Sequence, residues 1–173
     1  TLAKAPVRAE AGRLLALFEG QGAQVVETPI LQPADTLLDL YGEDIRARAY
    51  VTSDALCGEQ MLRPDFTVPV VQMHMAHGAE PARYTYSGEV FRRQEHDPNR
   101  ANEYIQVGFE VFDRADPAAA DAEVFALIAE AMQAGFDVTA SATVPQGPNG
   151  PRGIGHAFSF IYRRILRDNP TPL

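Results

Sequence analysis

Arg92, Gln106 and Glu110 have the types and the spacing to hold a small polar ligand. Side chains alternate faces along a strand, so residues two apart share a side. Residues 84–93 and 103–113 are rich in aromatic and β-branched residues, which predicts two strands. The polar 94–102 segment between them contains Asp97-Pro98-Asn99, so the pair reads as an antiparallel hairpin with a long loop. In the second strand Ile105, Val107, Phe109 and Val111 form an apolar face destined for the core. Tyr104, Gln106, Gly108, Glu110 and Phe112 form the other face, and Gly108 leaves a gap where a ligand or another backbone can approach. In the first strand Tyr84, Tyr86, Gly88, Val90 and Arg92 share a side, so the register decides whether Arg92 joins that face. A guanidinium binds a carboxylate or phosphate bidentately, while Gln106 and Glu110 suit an ammonium or an imidazole N–H. Parity alone leaves open that the face is the solvated side of an antiparallel sheet.

The elements that must position these residues follow from the hydrophobic spacing. Val7, Ala11, Leu14, Leu15 and Phe18 mark one face of a helix over 4–19, ended by Gly20 and Gly22. A short strand over 23–28 closes at Pro29, and Asp35 is placed to cap a brief helix to Tyr41, with Gly42 as its stop. Two strands, 49–53 and 60–63, join through a turn at Asp54 and Gly58. Asp65 or Thr67 caps a helix to His77, with Pro69 in the tolerant first turn. Pro117 opens a helix to about Met132 with Val124, Phe125, Leu127 and Ile128 inward. Residues 145–155 read as a Gly/Pro-rich linker, and a final amphipathic helix is expected over 156–168. Strands and helices do not alternate strictly, so the expected class is α+β, an antiparallel sheet flanked by helices. The organisation reads as a core over 1–132 and a remainder over 133–173 that belongs to the same domain or to an incomplete further part.

Composition narrows the function classes. Net charge is −8 and the pI about 4.9, which argues against nucleic acid as the main partner. The single cysteine, Cys57, cannot form an intramolecular disulfide, so a reducing, cytoplasmic setting is expected. No apolar run reaches the length of a membrane span, and no signal-peptide core opens the numbered chain. His74 and His77 lie three apart on a helix but lack a third ligand, so packing or helix surface is the simpler reading and no metal is expected. No base is spaced to activate Cys57. For Arg92, Arg93 and Arg100, phosphate binding and pairing with Glu95, Asp97 or Glu103 are evenly matched.

Three segments in order carry a resemblance. FRRQEHDPNRANEYIQVGFEVFDR (91–114) resembles motif 2 of class II aminoacyl-tRNA synthetases in its histidyl form. ETPILQPADTLLDLYGED (27–44) resembles motif 1, with Pro29 as the motif proline, and LRPDFTVPV (62–70) resembles the histidyl Leu-Arg-Pro-Glu-Gly-Thr segment. The resemblance implies an antiparallel class II core that dimerises through the motif 1 region. It implies that Arg92 contacts the carboxylate and α-phosphate, that Gln106 and Glu110 line a histidine pocket, and that Asp65 and Thr67 hold the substrate's amino group.

The departures are specific. Asp65-Phe66-Thr67 stands in place of Glu-Gly-Thr, and Tyr104-Ile105-Gln106 in place of Phe-His-Gln. A glycine-rich motif 3 has no match; GPNGPRGIG (147–155) carries Arg152 without an apolar strand ahead of it. The histidyl Arg-Gly-Leu-Asp-Tyr-Tyr segment and an anticodon-binding domain are not found. The pattern LRPDFT with ANEY-x-QVG-x-E-x-FDR resembles the regulatory-subunit family of ATP phosphoribosyltransferase, paralogues of histidyl-tRNA synthetase. That resemblance implies no catalytic residues and no cofactor. It implies association with the short catalytic phosphoribosyltransferase, a homodimer, histidine as a ligand for feedback, and a chain longer than this one. A fragment of a true synthetase, an ATP-dependent ligase, is the alternative.

Overall fold

A computed structural model of the chain describes residues 4–93, 101–133, 138–139, 146–147, 150–151 and 157–161. Helix α1 (Lys4–Gly20) leads into β1 (Gln24–Val25), β2 (Leu31–Pro33), α2 (Ala34–Tyr41) and α3 (Asp44–Arg48). Next come β3 (Val51–Asp54), β4 (Gly58–Leu62), α4 (Thr67–His77), β5 (Ala82–Phe91), β6 (Glu103–Phe112) and α5 (Pro117–Gln133). The short strands β7 (Val138–Thr139), β8 (Gln146–Gly147), β9 (Gly150–Pro151) and β10 (Ala157–Ile161) close the described chain.

The β5–β6 hairpin is the spine. Its ladder pairs Ala82 with Phe112 and continues to Phe91 with Glu103, fixing Tyr84 opposite Glu110, Tyr86 opposite Gly108 and Gly88 opposite Gln106. Around it a five-stranded sheet runs β1-β5-β6-β10-β7, with β1 parallel to β5 and the other pairings antiparallel. One face carries Val107, Phe109 and Val111, as the alternation predicts, packed against Ala11, Leu14 and Phe18 of α1 and Val124 and Leu127 of α5. The opposite face packs Tyr84, Tyr86, Val90 and Phe112 against Phe66 and Val70. A second sheet, β2-β4-β3, shares a small core with α2 and α3 through Leu37, Ile45 and Met61.

Several expectations need correction. Asp35 does not cap α2; Pro33 holds the cap position without a side-chain bond, and Asp35 sits in the first turn, where the helix dipole favours an acid. Gly42 does stop α2, at φ 71, donating its N–H to the Leu38 carbonyl. Strand β2 and helix α3 had no sequence signal strong enough to read. Phe125 is 62% exposed, whereas Val124 and Leu127 are buried as expected. Residues 157–161 form a strand where a helix was expected. Ala157–Ile161 pair with β6 from Glu110 to Gln106. The free hydrogen-bonding edge of β6 and the β-favouring Phe158, Phe160 and Ile161 outweigh the helical spacing. The remainder of 156–168 lies outside the described residues, and the expected 145–155 linker contains the β8–β9 pair.

Candidate functional site

The polar face of the hairpin is buried beneath α4 and is not a solvated sheet surface: Gln106 and Glu110 are 0% exposed. Burial of a carboxyl and an amide without compensation is costly, so their partners matter. Tyr86 donates its hydroxyl to Glu110 Oε1 at 3.1 Å. Glu110 Oε2 and both amide atoms of Gln106 have no hydrogen-bond partner among the described residues. Burial pushes the Glu110 carboxyl well above its ordinary range. The Tyr86 hydrogen bond offsets part of that, the nearby Asp65 charge adds to it, and the Thr67 hydroxyl opposes it. Glu110 therefore holds its proton to higher pH than an exposed carboxyl does.

Gly108 does not leave an open gap. A Cβ there would lie 2.1 Å from Tyr86 Cζ, so the aromatic ring of the facing strand fills the space. Tyr86 thereby becomes a site residue that sequence reasoning missed; its position opposite Gly108 on the shared face was the available signal. Phe66 stacks on Tyr86 with centroids 4.4 Å apart and planes 8° apart. Its ring reaches over Gly88, where a Cβ would meet Phe66 Cζ at 2.8 Å. The guanidinium of Arg63 lies 3.9 Å from the Phe66 ring centroid and donates to the carbonyls of Glu89 and Thr28.

A second group gathers at the start of α4. Neither Asp65 nor Thr67 caps α4: Phe66 holds the cap position without a side-chain bond, Thr67 is the first helical residue, and Asp65, one residue earlier, accepts the Thr67 N–H on Oδ1 at 3.1 Å. Tyr41, at the end of α2, donates to Asp65 Oδ2 at 3.0 Å and lies 3.3 Å from Oδ1. Arg92 stands one residue beyond β5, donates Nε–H to the Pro64 carbonyl at 2.7 Å, and brings Nη2 to 3.9 Å from Asp65 Oδ2. Residues 65–67 thus join both groups: Asp65 faces Arg92 and Tyr41, while Thr67 faces Glu110. Arg92 and Asp65 side chains are 32% and 16% exposed, so the site grades from a charged, solvent-reachable end to a buried end at Glu110.

His74 is buried, stacked on Phe112 at 3.9 Å, with Nδ1 3.1 Å from the Tyr84 hydroxyl, whereas His77 is exposed. Among the described residues no group of three His, Cys, Asp or Glu could hold a metal. Cys57 is exposed beside Gly58, in a turn whose N–H groups at Leu56 and Cys57 are held by Asp54. No helix among the described residues is long and apolar enough to cross a membrane.

An antiparallel hairpin at the centre of a helix-flanked sheet, here with Arg92 where β5 enters the connecting loop, is the core of the class II aminoacyl-tRNA synthetases. A family model described as Histidyl-tRNA synthetase matches residues 4–144, and the chain belongs to that family. An ATP phosphoribosyltransferase regulatory subunit of Brucella ovis is 46% identical over 109 residues, covering 60% of this chain and 27% of that protein. The chain therefore spans about a quarter of that relative's length. A crystal structure of a histidine–tRNA ligase subunit from Alicyclobacillus acidocaldarius aligns with a TM-score of 0.62 and 30% identity, over 75% of this chain and 38% of that one. A structure titled as an ATP phosphoribosyltransferase regulatory subunit/histidyl-tRNA synthetase from Bacillus halodurans aligns at TM-score 0.60 and 24% identity, over 77% of this chain and 35% of that one. That last likeness speaks to the fold alone.

Proposed function

We propose that this chain is the synthetase-like core of an ATP phosphoribosyltransferase regulatory subunit, binding histidine between the Asp65–Arg92 end and Glu110. The observation that carries the ligand reading is the set of buried, unpartnered polar atoms on the hairpin: Gln106 Nε2 and Oε1 and Glu110 Oε2. Native folds rarely leave three such atoms on one face without a ligand or water to meet them. Arg92 suits the amino acid's carboxylate, Asp65 and Thr67 its ammonium, Gln106 the polar middle, and Glu110 the imidazole N–H. The regulatory reading is supported by the Brucella ovis relative and its printed name.

In this reading the chain acts as a homodimer in the cytoplasm, pairs with the short catalytic phosphoribosyltransferase and transmits histidine feedback without charging tRNA. It contributes no catalytic residue. The test uses the full-length protein. Calorimetric titration is expected to show histidine binding, and addition to the catalytic subunit is expected to raise that enzyme's activity and make it histidine-sensitive. The absence of any effect on the phosphoribosyltransferase overturns the regulatory role. Histidine-dependent ATP–pyrophosphate exchange would instead establish the synthetase reading.

A further inference from the structure

We propose that Tyr41 is a positioning residue of the ligand site, holding the Asp65 carboxylate apart from Arg92 so that each can meet its own end of a zwitterion. The assignment rests on the amino-acid-binding reading above. It starts from the distances around one carboxylate. Asp65 Oδ1 is taken by the Thr67 N–H at 3.1 Å. Asp65 Oδ2 receives the Tyr41 hydroxyl at 3.0 Å, while Arg92 Nη2 stays 3.9 Å away, outside hydrogen-bond range. The Arg92 Nε–H is meanwhile anchored on the Pro64 carbonyl.

An arginine and a carboxylate this close, partly shielded from water, ordinarily close into a hydrogen-bonded ion pair. If they did so here, each would satisfy the other. Arg92 would have less to offer a ligand carboxylate, and Asp65 less to offer an ammonium. The Tyr41 hydroxyl supplies a neutral donor to Oδ2 instead. Burial, followed by the Asp65 charge and hydrogen bond, holds the phenol above its ordinary titration range, so it keeps its proton at physiological pH. The charged groups around this trio are Asp65, Arg92 and Glu110, and all three act on Tyr41. Tyr41 comes from α2, the end of the motif 1 segment, whereas Asp65 precedes α4 and Arg92 follows β5. Three separate elements therefore meet at one carboxylate, and the hydroxyl is the contact that α2 supplies there.

The experiment is calorimetric titration of the full-length protein and its Tyr41→Phe variant with two probes: histidine, and imidazole-propionate, which lacks the ammonium. Tyr41→Phe keeps the ring against its neighbours and removes one donor. Histidine affinity is expected to fall about tenfold, while the penalty for imidazole-propionate stays within about twofold. Adding Tyr41→Phe to Asp65→Asn is expected to cost histidine no further affinity, because the hydroxyl acts through that carboxylate. A merely structural role would instead give equal penalties on both probes and additive losses in the double variant, and that result overturns the assignment. Unchanged histidine affinity in Tyr41→Phe overturns it as well. A wild-type protein that takes up no histidine overturns the amino-acid reading and the assignment together.

Discussion

Replacing Glu110 by Gln isolates the energetic consequence of a buried acid. Glutamine has nearly the same shape and keeps an oxygen for the Tyr86 hydroxyl, which donates to Oε1 at 3.1 Å. The folded-state pKa of Glu110 is raised above its ordinary 4.5, chiefly by burial. At pH values below 4.5 the acid is neutral in both folded and unfolded chains, and the substitution should be close to silent. As pH rises above that value, the unfolded chain releases the proton while the folded chain retains it. The unfolded state then binds fewer protons, so the stability of the parent falls with pH, at up to about 1.4 kcal/mol per pH unit from this one group. The loss ends once pH passes the raised folded-state pKa. Glutamine cannot ionise and carries no such slope. In urea denaturation at pH 4.5, 6 and 7.5, Glu110→Gln is expected to gain steadily on the parent, because every other titrating group cancels in the difference. Curves that stay parallel across that range would refute the reasoning, since Glu110 would then be ionised inside the fold and stabilised by a cation. A uniform loss at every pH would refute it differently, as a packing defect unrelated to charge.

Gly108→Ala should destabilise the hairpin by about 1–3 kcal/mol, read from a lowered urea midpoint, because the new methyl would lie 2.1 Å from Tyr86 Cζ. Gly88→Ala should cost a similar amount, since its Cβ meets Phe66 Cζ at 2.8 Å and Arg63 Nη2 at 2.6 Å. Thermal denaturation of Gly88→Ala combined with Phe66→Leu should show part of that loss recovered. Arg63→Met should cost roughly 3 kcal/mol by the same denaturation assay. It removes a 5% exposed guanidinium that donates to the Glu89 and Thr28 carbonyls and leaves those acceptors unpaired.

What the sequence revealed and what it hid divide along physical lines. The hairpin faces were legible because alternation is a strict period, and Ile105, Val107, Phe109 and Val111 could belong only to the core. The fate of the other face was not legible, because parity does not say whether a polar face meets water or a helix. Only the packing of Phe66 and Val70 against it decides that. The start of α4 near residues 65–67 was readable from residue type, but the cap position falls to Phe66, and the Tyr41–Asp65 contact was not readable, since 24 residues separate the partners. Residues 157–161 were misread because helical spacing and β-favouring side chains coexist there, and the free edge of β6 is a tertiary fact. Parity put Arg92 on the side shared with Tyr84 and Tyr86, but not its partners: the side chain donates to the Pro64 carbonyl, approaches Asp65 and lies 5.9 Å over the Tyr104 ring.

Phe66 is the departure from the synthetase pattern that most changes the site, and its surroundings argue that it is accommodated as a unit. Its ring is 1% exposed, stacked on Tyr86 and covered by the Arg63 guanidinium. It fits only because position 88 has no side chain: a Cβ there would collide with both Phe66 and Arg63. Tyr86 in turn fits only because position 108, opposite it, is glycine. Two glycines on facing strands therefore make room for two stacked rings, and the second ring ends in the hydroxyl that meets Glu110. The aromatic pair fills the middle of the hairpin face and leaves the unpartnered polar atoms at either side of it, Gln106 opposite Gly88 and Glu110 opposite Tyr84. A bulky residue in place of glycine at 66 thus leaves Gln106 Nε2 and Oε1 and Glu110 Oε2 without a hydrogen-bond partner among the described residues. Its ring and that of Tyr86 fill the floor between Gln106 and Glu110, whose spacing the extended backbone of β6 sets.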